Sequence, residues 1–100
     1  VPTSIVSCAE FNISLKNKVS INKIKKELYE FEKNQSSKIM KNFNFPLTSL
    51  DLKGSPYSSN IDHRWTHANS KQVRLVTWYD NEMGYASRVI DLLNKIKIII

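Results

Sequence analysis

One hundred residues, with fifteen Lys and Arg against nine Asp and Glu for a formal charge of +6, are enough for one small domain with a core but too few for a dinucleotide-binding domain joined to a catalytic one. The lysines are spread along the chain, several of them (Lys23, Lys25, Lys26, Lys33) on one helix face, which reads as a solvated surface and argues against a nucleic-acid footprint. A single Cys8 excludes an internal disulfide and fits a reducing compartment, and with no signal-peptide core and no apolar run long enough to span a bilayer, a cytoplasmic location is expected.

In chain order, Phe11, Ile13 and Leu15 alternate with Glu10, Asn12 and Ser14, which predicts one strand over residues 5–15 with a single apolar face. Cys8 lies among Val6, Ser7 and Ala9 with no base beside it, so it reads as a structural thiol rather than a nucleophile. Residues 16–19 form a polar turn, and Ser20 caps a helix whose apolar positions Ile21, Ile24, Leu28 and Phe31 fall three and four apart. The remaining faces carry Lys and Glu, so this helix lies on a sheet with one side in water. Asn34 is placed to end it as a left-handed cap.

Residues 38–46 read as a linker that tucks Ile39, Met40, Phe43 and Phe45 inward, and residues 47–52 as a short strand stopped by Lys53-Gly54-Ser55-Pro56. A strand over residues 58–66 then pairs, through a turn at 68–71, with a strand that ends at Trp78. His63 and His67 flank Trp65 at a spacing that puts all three on one strand face, but no third ligand stands near, so no metal site is expected. With Gly54 and Gly84 as the only glycines, no phosphate-cradling loop is present.

After Trp78 the period changes from two to that of a helix. Asp80 or Asn81 can cap it, and Glu82 places negative charge where the helix dipole favours it. Met83, Ala86, Ile90 and Leu93 recur at helical spacing, as do Tyr85, Val89, Leu92 and Ile96, so more than half the circumference is apolar and burial against more than one neighbour is expected. The Ile-rich tail, residues 96–100, needs a covering partner surface. The order β-α-β-β-β-α implies an α+β fold, an antiparallel or mixed sheet covered by helices. A strand-to-helix junction is where α/β enzymes hold ligands. Asn81, whose carboxamide is both donor and acceptor, is either the cap or a ligand-binding group, and the two roles can coexist. Tyr85 is either a half-buried helix aromatic or a ring that packs on a ligand.

Trp78-Tyr79-Asp80-Asn81-Glu82-Met83-Gly84-Tyr85 resembles the Trp-Tyr-Asp-Asn-Glu-x-Gly-Tyr signature near the C-terminus of the glyceraldehyde-3-phosphate dehydrogenase family. Arg88-Val89-Ile90-Asp91-Leu92 follows as it does there, and Val1-Pro2-Thr3 resembles the family's Val-Pro-Thr, so the resemblance covers nearly the whole chain. It implies that residues 1–100 are the C-terminal portion of the catalytic domain, a partial domain whose N-terminal cofactor domain is absent from this chain. The implied activity is that of an NAD(P)-dependent phosphorylating aldehyde dehydrogenase, an oxidoreductase of glycolysis using NAD, with NADP also open, on a sugar-phosphate aldehyde. In that family a Cys thiolate attacks the aldehyde, hydride passes to the nicotinamide and phosphate releases the acyl group, with a His as base.

The Ser-Cys-Thr-Thr-Asn motif that carries the family nucleophile is not in this chain, so no catalytic residue is assigned and the isolated segment is expected to be inactive. Asn81 matches the family Asn that hydrogen-bonds the nicotinamide amide, and Tyr85 the Tyr that lies near the ring. A homotetramer is implied, with no nucleic-acid or membrane partner. Met83 stands where an aromatic is usual, Tyr57 where a His commonly precedes Ser58-Ser59, and Arg64-Trp65-Thr66 has no family counterpart. The nearest alternatives are an erythrose-4-phosphate dehydrogenase, against which Tyr79 and Tyr85 argue, and a non-catalytic truncated remnant acting at most as an interaction module.

Overall fold

The first and last strands of the domain run side by side along their whole length in a computed structural model, which describes residues 6–46 and 52–99. β1 (Val6–Ser14) pairs antiparallel with β5 (Gln72–Asp80) at every position from Val6 opposite Asp80 to Ser14 opposite Gln72. β5 is rich in β-branched and aromatic residues, as a central strand should be. Its other edge takes β3 (Ser59–Asp62) antiparallel, and β2 (Met40–Phe43) then adds parallel to β3. β4 (His67–Asn69) forms a hairpin with the start of β5. The sheet is therefore mixed, in the order β1-β5-β3-β2 with β4 beside β5. α1 (Ile21–Asn34) packs against β2 and β4, and α2 (Met83–Ile99) follows β5 directly. The α+β class expected from the sequence is the class observed.

Ser20 caps α1 as anticipated, its Oγ accepting from the Lys23 N–H at 3.2 Å. The other end differs from expectation. No left-handed residue closes the helix; Gln35 caps it in an extended conformation, φ −70°, ψ 143°. The Gln35 side chain then does the turning: its Oε1 accepts from the N–H of Ile39 and of Met40, and its Nε2 donates to the Met40 carbonyl at 2.7 Å. A side-chain amide can stand in for a backbone turn in this way. That clamp delivers the chain into β2, so the supposed linker 38–46 contains a strand. Its four residues are too few to show a period, and its existence depends on the parallel ladder with β3.

The single strand expected over 58–66 is two. β3 stops at Asp62, whose carbonyl accepts from Trp65 N–H at 3.2 Å while its Oδ1 accepts from Arg64 N–H at 3.1 Å, so one residue closes a turn from both its backbone and its side chain. The intervening turn separates the two histidines: His63 is buried and His67 exposed, on no common face. Among the described residues no group of three His, Cys, Asp or Glu could hold a metal. The hairpin turn is tighter than expected, residues 70–71, with Ser70 in the left-handed region at φ 57°. β5 continues two residues beyond Trp78. The strand expected at 47–52 lies outside the described residues except for Leu52, which is buried.

The core is small. Val6, Phe43 and Leu52 cluster with Trp78 beside them, while seven of the fourteen buried residues among those described are polar or charged. Polar pairing must therefore carry what apolar volume does not, and among the described residues no buried side-chain N or O lacks a partner. The apolar stripes lie outward instead. Phe11 and Ile13 of β1 and Phe31 of α1 are exposed, and α2 leaves Ile90, Leu92 and Leu93 more than half exposed, so the expected burial of these faces is not met by the described residues.

Candidate functional site

β5 ends in a buried carboxylate with three backbone partners. Asp80 Oδ1 accepts from the N–H groups of Glu82 and Met83, both at 3.0 Å, and Oδ2 accepts from Gly54 N–H at 2.8 Å. The bond from Met83 holds its carboxyl below the ordinary range; burial opposes, and the Gly54 and Glu82 N–H groups and the charge of Lys53 add to the lowering. Asp80 is thus the cap of α2 and also fastens the 52–55 turn to the junction. Of the two candidate caps only Asp80 serves, which leaves the Asn81 side chain for another role.

Asn81 sits just past the cap. Its Nδ2 donates to Ser7 Oγ on β1 at 2.9 Å, and its Oδ1 has no hydrogen-bond partner among the described residues. One turn further, Tyr85 presents its ring at 75% exposure. Asn81 and Tyr85, with Tyr79, Asp80, Gly84, Ser58 and Arg88, line one open cleft of about 300 Å³. Gly84 fixes the cleft's inner wall: a Cβ there would lie 3.4 Å from the Tyr57 carbonyl oxygen and 3.6 Å from Ser58 Cα, so the small residue lets the first turn of α2 rest on backbone 57–58. Arg88 secures the same contact from the next turn, through Ser58 Oγ at 2.9 Å and the Lys38 carbonyl, while its Nε pairs with Asp91 at 2.8 Å. A larger open cleft of about 540 Å³ adjoins Arg88, but the guanidinium on its wall is already committed to these partners.

The junction presents a carboxamide edge and an exposed aromatic ring to one open cleft. After Ser7 takes one N–H of Nδ2, Asn81 retains one donor and one acceptor on its amide edge, the complement of another amide. Tyr85 supplies an exposed flat surface in the same cleft. No nucleophile with a base accompanies them among the described residues. Cys8 is half buried, and burial pushes its thiol above the ordinary value of 9.0, with Asp62 and Glu10 adding to the rise, which is the setting of a structural thiol.

Two buried polar clusters escaped the sequence reading. Asp62, with 0% exposure, accepts from Arg64 N–H, from Arg64 Nε and Nη2 at 2.9 and 2.7 Å, and from Trp78 Nε1 at 3.3 Å. Burial raises its carboxyl, yet the Arg64 bonds and charge and the indole N–H outweigh it and hold the group below the usual range. An Asp two before an Arg was the available signal. His63 lies between α1 and the sheet: Asn42 Nδ2 donates to the Leu28 carbonyl and to Glu32, so its Oδ1 is the acceptor for His63 Nε2 at 2.6 Å. His63 Nδ1 then accepts from Thr66 Oγ at 2.9 Å, and the Tyr29 ring stacks at 5.1 Å. The Asn42 acceptor places a proton on Nε2, and burial favours the neutral ring, in which Nδ1 accepts from Thr66. Burial lowers its pKa, the charge of Lys25 adds to that, and Asp62 and Glu32 oppose it.

Fold and junction together define an α+β fold whose strand-to-helix turn opens on a cleft, with no nucleophile paired with a base among the described residues. Residues 1–81 match the family model described as glyceraldehyde 3-phosphate dehydrogenase, C-terminal domain, and the chain belongs to that family. It is 32% identical over 93 residues to the glyceraldehyde-3-phosphate dehydrogenase of Mycobacterium leprae, covering 93% of this chain and 27% of that protein. The Geobacillus stearothermophilus enzyme is 37% identical (92% and 28% covered) and that of Aspergillus niger 40% (88% and 26%). The chain thus spans little more than a quarter of the length of these relatives.

Proposed function

We propose that this chain is the C-terminal portion of the catalytic domain of an NAD-dependent phosphorylating glyceraldehyde-3-phosphate dehydrogenase, and that it anchors the nicotinamide. The observation that carries this reading is the placement of Asn81 and Tyr85 in one cleft, with Asp80 alone acting as cap. Asn81 meets the carboxamide of the cofactor and Tyr85 packs beside the ring. When bound, the nicotinamide accepts the hydride that leaves the aldehyde carbon. What this chain does is orient that ring; the thiolate, the base and the residues that meet the adenosine ribose, and hence the choice of NAD over NADP, belong to chain outside these residues. The names of the quoted relatives favour glyceraldehyde-3-phosphate over erythrose-4-phosphate as the aldehyde.

The outward apolar residues of α2 are covered, in this reading, by the cofactor domain, and those of β1 support a homotetramer, the ordinary kind of symmetric assembly for a soluble enzyme. No helix among the described residues is long and apolar enough to cross a membrane, which accords with a cytoplasmic place in glycolysis. The test is phosphate-dependent NADH formation from glyceraldehyde-3-phosphate by the full-length polypeptide that carries this chain. Activity there, and none from residues 1–100 alone, is the expected pair of results; a full-length polypeptide that binds no NAD sinks the proposal.

A further inference from the structure

We propose that Ser7 is a positioning residue for the cofactor, setting the orientation of the Asn81 carboxamide from a different strand. The inference rests on the reading of Asn81 as the nicotinamide anchor. Asn81 lies beyond the last residue of β5 and before the first of α2, in the short link between them. Its one side-chain hydrogen bond among the described residues is Nδ2 to Ser7 Oγ at 2.9 Å, across 74 residues of sequence.

Ser7 itself is held firmly. It lies opposite Tyr79 in the nine-residue antiparallel ladder of β1 and β5, and its neighbour Val6, opposite Asp80, is 2% exposed in the core. The hydroxyl therefore offers a fixed point, and one N–H of Asn81 is tied to it. An exposed amide without that tie can turn about two torsions, and a half turn exchanges oxygen for nitrogen, which would set donor against donor and acceptor against acceptor on an incoming carboxamide. The tie holds the plane of the carboxamide, and in the orientation observed one oxygen and one N–H lie on the outward edge. Ser7 touches no part of the cofactor in this arrangement; it lowers the ordering cost that Asn81 would otherwise meet on binding.

The experiment is steady-state kinetics on the full-length dehydrogenase with NAD varied at saturating aldehyde and phosphate, and with ADP-ribose, which lacks the nicotinamide, as competitive inhibitor. Ser7→Ala is expected to raise KM for NAD roughly three- to tenfold, the worth of one neutral hydrogen bond, and to leave KM for aldehyde and Ki for ADP-ribose within about twofold of wild type. Ser7→Thr, which keeps the hydroxyl on a strand position, should restore KM. In an Asn81→Ala background Ser7→Ala should add nothing. If Asn81→Ala raises KM for NAD but Ser7→Ala does not, the positioning role is wrong and the anchor reading survives. If Ser7→Ala weakens ADP-ribose as much as NAD, its effect is a general one on the fold and the inference is overturned. An unchanged KM in Asn81→Ala overturns both.

Discussion

Asp80 joins three pieces of backbone with one side chain: the end of β5, the first turn of α2 and the 52–55 turn. Replacing it by Ala removes a helix cap and leaves the Gly54 N–H without its acceptor, which should cost about 1–3 kcal/mol in chemical unfolding of the full-length protein; a change below a few tenths would show that water replaces it. Its carboxyl and that of Asp62 are both held below the ordinary 3.8. The folded state then binds fewer protons than the unfolded chain just below that pH, so this stabilisation is complete above about pH 4 and is lost as pH falls through the folded values. Asp62→Asn should flatten part of that acid limb, as read from unfolding midpoints between pH 5 and about pH 2. At this scale the placement of Asn81 and Tyr85 at the strand-to-helix junction was legible because a contiguous motif carries them. The choice between Asp80 and Asn81 as cap was not, since both have the required oxygen and only the geometry of the turn decides.

The contact of α1 with the sheet is a polar one, built on Asn42, His63, Thr66 and Glu32 rather than on a wide apolar seam. The groups that face the imidazole are Lys25, Tyr29 and Glu32 from α1, Asn42 from β2, and Asp62 and Thr66 from the turn. Because burial depresses the His63 pKa below 6.5, the unfolded chain takes up a proton before the folded one does. Stability is therefore full above about pH 6.5, falls as pH drops towards the folded value, and levels off beneath it. Protection factors of β2 amides, the observed exchange corrected for the intrinsic rate at each pH, should fall between pH 7 and about pH 5, and His63→Gln, which keeps a donor for Asn42, should remove most of that slope; an unaltered slope would mean that the histidine is not its source. The sequence showed the period-three-and-four face of α1 and the alternation of β1 and β5, and all three elements are present. It could not show β2, because four residues have no readable period, nor the His63 cluster, whose members come from α1, β2 and the turn after β3 and meet only when β2 and β3 pair in register.

Across the whole molecule the apolar patterning and the burial disagree, and the disagreement is informative. α2 was read as a helix with more than half its circumference apolar, yet Tyr85, Ile90, Leu92 and Leu93 are 58–75% exposed. A helix of that kind is stable only with a covering surface. In the full-length protein, charged substitutions such as Ile90→Asp or Leu93→Asp should cost at least about 2 kcal/mol, the transfer value of a buried aliphatic side chain, seen as a lower melting temperature; an unchanged melting temperature would leave the helix solvent-facing and the covering domain unsupported. The relatives are more than three times as long as the matched segment, so there is chain enough in proteins of this family to supply the cover.

The claim that organises the rest is that this chain holds the nicotinamide through Asn81. It is tested most directly by titrating the full-length protein and its Asn81→Ala variant with NAD and, separately, with ADP-ribose, reading the dissociation constant from protein fluorescence. A rise of roughly three- to tenfold for NAD, with ADP-ribose binding unaltered, is the predicted result. Equal affinities of the two proteins for NAD would contradict it and leave Asn81 with no role beyond the turn between β5 and α2.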